Sequence, residues 1–129
     1  MNQESVESAL KLDCEQRYEY FLSEVVESRE IWILVNSENQ FLKLFSEDEG
    51  YEYLPVWPTS ALADAYVTGA DEDLRAKAIS LPDFLKKWIS GLQRDELQVS
   101  VFPTSTDSTL WLMAPTELQD DLKEELARF

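Results

Sequence analysis

Histidine is absent from this chain, so no serine triad, cysteine–histidine pair or imidazole metal site can be assembled from it. Its three glycines, Gly50, Gly69 and Gly91, lie too far apart for a phosphate-cradling loop or a dinucleotide fingerprint, and no cofactor is expected. The single cysteine, Cys14, excludes an intrachain disulfide and fits a reducing compartment. Nothing in the adjoining sequence marks it as an activated thiolate, and it reads as a small residue on a helix face. No apolar run exceeds the five residues of Ile31 to Val35, far short of the roughly 20 needed to cross a bilayer. No basic start and apolar run of a secretory leader opens the sequence, and the expectation is a cytoplasmic protein without a membrane partner.

Basic residues are also scarce. Eleven Lys and Arg face 26 Asp and Glu, giving a net charge of −15 over 129 residues. Such a field repels phosphate backbones and anionic lipid, so no direct nucleic-acid binding is expected. The stretch from 81 to 103 is neutral overall; the excess negative charge lies on either side of it. The acids follow no ligand spacing, so neither a metal site nor a catalytic carboxylate pair is assigned. The turn Glu47, Asp48, Glu49 is too short for a calcium-binding helix-loop-helix and reads as a solvated hairpin tip.

What remains is the composition of a globular domain, 44% hydrophobic and 12% aromatic. A single domain over 1–129 is expected, with 1–12 a frayed extension or two further helical turns. Asp13 and Gln16 are spaced as a capping box, and Tyr18, Phe21, Leu22 and Val25 follow at helical spacing through Ser28. Three apolar runs follow, 31–35, 40–45 and 51–57, separated by short polar turns, and predict an antiparallel meander. Pro58 and Thr59 open a helix to about Val67, with Gly69 placed to cap it. Residues 78–81 read as a short strand, and Pro82 then opens a helix bearing Phe84, Leu85, Trp88, Ile89 and Leu92 on one face. Strand 97–102 pairs with 109–113 as a late hairpin, and Pro115–Arg128 is a final amphipathic helix. The fold class is α+β, a mostly antiparallel sheet packed with about four helices.

Four tryptophans stand out. Trp32, Trp88 and Trp111 sit among periodic apolar residues and are expected in the core. Trp57 stands where a strand stops, a place from which side chains reach a surface groove. The sequence repeats in miniature there: Val-Trp-Pro-Thr-Ser (56–60) and Val-Phe-Pro-Thr-Ser (101–105) both close strands. If the two ends share one sheet edge, Trp57, Thr59, Phe102 and Thr104 form an amphipathic binding patch. The competing reading is two unrelated proline stops.

Several of these segments resemble one family. Arg-Tyr-Glu-Tyr-Phe (17–21), Ile-Trp-Ile-Leu (31–34), Leu-Pro-Val-Trp-Pro (54–58) and Leu-Pro-Asp-Phe-Leu-Lys-Lys-Trp (81–88) before Gly91-Leu92 are similar to the small bacterial proteins of Domain of Unknown Function 2750. The resemblance covers most of residues 13–122, with the Pro-Val-Trp element the most specific, and implies a shared fold without an activity, cofactor or catalytic residue. A looser similarity of layout, in Trp57–Tyr66 and Ala114–Leu118, is to SseB-like domains, which favours an interaction module.

Three functional readings follow. The first is a non-enzymatic module that binds a protein partner through the surface around Trp57 and the loop after Phe102. The second is an acidic decoy or immunity-type protein that covers a basic, nucleic-acid-binding partner. The third, an enzyme working with carboxylates alone, needs a deep pocket holding two of them with shifted pKa values.

Overall fold

The computed structural model describes residues 9–46, 50–66, 74–104 and 111–128. Helix α1 (Cys14–Ser28) starts on the expected capping box: the Asp13 carboxylate accepts from the Gln16 amide at 2.8 Å, and the Asp13 amide donates to Gln16 Oε1 at 3.1 Å. It ends at Arg29, whose left-handed backbone (φ 64°) lets its N–H reach the Val25 carbonyl at 2.7 Å. Its inward face carries Tyr18, Phe21, Val25 and Val26 and, unexpectedly, the buried Arg17. Of the residues read as an N-terminal extension, 9–12 form a turn with Ala9 in the core, and 1–8 lie outside the described residues.

Among the described residues six strands follow: β1 (Glu30–Val35), β2 (Leu44–Ser46), β3 (Tyr51–Val56), β4 (Arg75–Ser80), β5 (Gln98–Val101) and β6 (Leu112–Met113). They form a pair β1–β4 and a four-stranded sheet in the order β2-β3-β5-β6, and the two are tied by one bridge, Trp32 to Trp57. The α+β class holds, with three ladders antiparallel and β3–β5 parallel.

The expected early meander holds in its second half, where β2 and β3 pair antiparallel, and is corrected in its first. β1 runs its full ladder with β4, and the chain after it touches β1 only at the Val35–Phe41 bridge before leaving for β3. The physical reason lies in two details. Asn36 Oδ1 accepts from the amides of Glu38 and Gln40 (2.9 and 3.0 Å), closing a tight turn. Residues 75–80 meanwhile alternate between outward Arg75 and Lys77 and half-buried Ala76 and Ala78, a better ladder partner for the apolar β1. The strand expected at 78–81 is accordingly longer, and Leu81 belongs to the next helix.

Parallel pairing of β3 with β5 explains two nearly unbroken apolar segments. Leu54–Val56 and Val99–Val101 are buried throughout, as strands covered on both faces must be. Pro55 is tolerated in β3 because the β2 ladder stops at Tyr53, leaving that side of Pro55 without a strand that needs its missing N–H.

Helix α2 (Ser60–Tyr66) begins at Thr59, whose Oγ1 accepts from the Leu62 amide at 3.2 Å. The cap expected from Gly69 and the acidic turn 47–49 lie outside the described residues. Helix α3 comprises Leu81–Asp83, a π-helical turn Phe84–Trp88, and Ile89–Arg94. Ser80 Oγ caps it by accepting from the Asp83 amide at 3.3 Å. Helix α4 (Pro115–Ala127) starts with Glu117 Oε1 accepting from the Ala114 amide at 3.0 Å, and packs Leu118 and Leu122 into the core.

Candidate functional site

The parallel register Val56–Val101 sets the ends of the two repeat-bearing strands side by side. The Phe102 amide donates to the Val56 carbonyl at 2.8 Å, and the Trp57 indole N–H donates to the Pro103 carbonyl at 2.9 Å. Trp57 also exchanges both backbone hydrogen bonds with Trp32, at 2.8 and 2.9 Å. The junction therefore locks β1, β3 and β5 together.

It is not an exposed patch. Trp57 and Phe102 are both 0% exposed, and Thr104 is buried as well. Thr59, half-buried, is occupied as the cap of α2. Burial of Trp57 is tolerated because its single polar atom is satisfied by a backbone carbonyl, while its ring packs against Tyr66 at 5.2 Å. Phe102 takes a left-handed backbone (φ 51°), and its carbonyl accepts from Arg17 Nε at 3.2 Å. Arg17, 1% exposed, also donates to the Leu12 carbonyl at 3.0 Å and lies 6.0 Å over the Phe102 ring. The expected surface around Trp57 is thus corrected to a buried latch, and the loop 105–110 lies outside the described residues. The other three tryptophans, Trp32, Trp88 and Trp111, pack against the core as expected, though each is only partly buried.

Sequence reasoning missed the surface that is exposed and apolar. Phe45 is 61% exposed on β2, the outer strand of the four-stranded sheet. Four residues before it, Phe41 meets Trp88 edge-to-face at 5.3 Å. Phe41 lies between two shallow grooves, one of about 590 Å³ shared with Leu42, Lys43 and Leu74, the other of about 220 Å³ shared with Trp88 and Leu97. One signal was available: Phe41, Leu42, Leu44 and Phe45 do not alternate, so a strand could not turn all four inward.

Several titratable groups among the described residues show displaced equilibria. Tyr18 is held neutral well above the ordinary phenol range, first by burial, then by donating to Asp121 Oδ2 and by the charges of Asp121 and Glu117. The ring of Tyr18 stacks on Trp111 at 4.6 Å. Burial raises Tyr53; burial, then the Glu24 charge, raises Tyr20. Glu24 is itself raised by burial, then by Glu27. Among the described residues no cluster of three or more His, Cys, Asp or Glu could hold a metal ion, and no helix is long and apolar enough to cross a membrane.

These features define a small α+β protein with a mixed sheet, a strand junction sealed by two buried aromatics and an open aromatic edge. The chain belongs to the family described as Protein of unknown function (DUF2750), whose model matches residues 18–122. That span takes in the buried latch except Arg17, together with the β2 edge. No curated protein matches the chain.

Proposed function

We propose that this protein is a non-enzymatic binding module that meets a protein partner through the segment 40–46 at the β2 edge. The observation that carries the reading is Phe45, a large aromatic side chain left 61% exposed on an outer strand. An aromatic residue on an open strand edge offers both an anchor and unpaired backbone groups to a second chain. Phe41, Leu42 and Trp88 extend the apolar surface beside it, and the ion pair Lys43–Glu52 (3.8 Å) supplies a polar margin. The absence of histidine and of any nucleotide-binding motif supports the non-enzymatic reading.

A photo-crosslinking phenylalanine analogue placed at position 45 tests this in living cells. One discrete conjugate is expected from position 45 and none from the same analogue at the exposed Lys77 on β4. Equal labelling at both positions, or none at position 45, contradicts the reading.

A further inference from the structure

With a net charge of −15, an anion approaching this protein is repelled over most of its surface, so the placement of the few cations matters. Most are already engaged. Lys43, Lys87, Arg94 and Arg128 pair with acids, Arg75 donates to Asn36 and Asn39, and Arg17 is buried against Phe102. Among the described residues, the side chains of Lys11, Arg29, Lys77, Lys86 and Lys123 make no ion pair or hydrogen bond. Three of these, Arg29, Lys86 and Lys123, line one groove.

The groove is built by three elements held in fixed relation. Arg29 closes α1, and its carbonyl accepts from the Leu81 amide at 2.8 Å, tying it to the start of α3. Gln119 of α4 donates to the Leu85 carbonyl at 3.3 Å within the π-helical turn of α3, so α4 is tied to the same place. Between them lies an opening of about 360 Å³ with Leu81, Leu85 and Leu126 among its lining residues and no carboxylate. That volume falls in the range of small-molecule sites, about 300–1,000 Å³. A protein interface needs about 20–30 residues a side, far more than the groove offers.

We propose that this groove binds a single-tailed carboxylate amphiphile, its apolar chain on Pro82, Leu85 and Leu126 and its head group among Arg29, Lys86 and Lys123. Burial of the chain supplies the driving force, and the three otherwise unpartnered cations select a negative head over a neutral one. The site shares no residue with the β2 edge and does not depend on it.

Amide chemical shifts of the full chain, titrated with octanoate below its micelle concentration, test the proposal. Saturable shifts are expected at Arg29, Leu81–Lys86 and Lys123–Leu126. Acetate, which lacks the chain, and octyl glucoside, which lacks the charge, should bind at least about tenfold more weakly. Lys86→Glu combined with Lys123→Glu should weaken octanoate by about tenfold or more, and Lys86→Glu alone by part of that. Lys77→Glu, an exposed charge reversal away from the groove, should leave binding unchanged. The proposal is overturned if octanoate gives no saturable shift, if its shifts centre on Phe41 and Trp88, if octyl glucoside binds equally well, or if the reversals at 86 and 123 have no effect.

Discussion

Ser100 sits opposite Pro55 in the β3–β5 ladder, fully buried, with its hydroxyl making no hydrogen bond among the described residues. An orphaned buried hydroxyl costs about 1–3 kcal/mol, while Ala fits the same space without that penalty. Ser100→Ala is therefore expected to raise stability by up to about 1 kcal/mol in urea unfolding; a loss of stability would show that the hydroxyl has a partner. Glu24 tests the electrostatics. Its carboxyl is raised by burial and by Glu27, so above the ordinary glutamate pKa the folded state binds more protons than the unfolded state. Stability contributed by the protonated form is present at low pH and lost as pH rises through the raised value. Glu24→Gln should accordingly gain a few tenths of a kcal/mol relative to wild type at neutral pH, discounted for partial exposure, and lose that advantage near pH 4. Trp57 shows what single-residue reading misses. Flanking prolines mark the end of a strand, but whether that end is covered depends on Pro103 and Tyr66, and the neighbouring Phe102 is in turn covered by Arg17. None of these is a sequence neighbour of Trp57.

At the scale of elements, the helices were legible because their determinants are local. The Asp13–Gln16 box, Thr59, Pro82 and Pro115 each act within one turn, and all four mark helix starts in the structure. The strands were legible in place and less so in pairing. Nothing local tells β1 to pair with β4 across 39 intervening residues, from 36 to 74, and the repeat 56–60 and 101–105 hinted at adjacency without revealing its parallel sense. The π-helical turn in α3 was also hidden, since its apolar positions fit ordinary helical spacing. The docking of α4 on α1 passes through Tyr18, whose hydroxyl donates to Asp121 while its ring stacks on Trp111. Tyr18→Phe keeps the stack and removes the hydrogen bond, so a loss of about 1 kcal/mol is expected in thermal or urea unfolding. An unchanged midpoint would mean that ring packing alone holds the two helices.

For the whole molecule, the order of expected helices and strands correctly set the class, α+β, but not where the surface is apolar or cationic. Arg29, Lys86 and Lys123 belong to three separated segments of an acidic sequence, and only the packing of α1, α3 and α4 brings them to one groove. Phe45 likewise became visible only once β2 proved to be an outer strand. The proposed binding surface thus differs from the one the tryptophans suggest, and a partner that meets the β2 edge should be indifferent to the charge that surrounds it. The most direct measurement immobilises wild type and Phe45→Ser, passes cell lysate over both at low and physiological salt, and identifies what each retains by mass spectrometry. A protein held by wild type at physiological salt, lost by a Phe45→Ser variant that unfolds at the wild-type midpoint, and rebound when purified, is the predicted result. Equal retention by both, or only basic proteins that wash away as salt is raised, would contradict the account and favour an acidic protein that covers a basic partner.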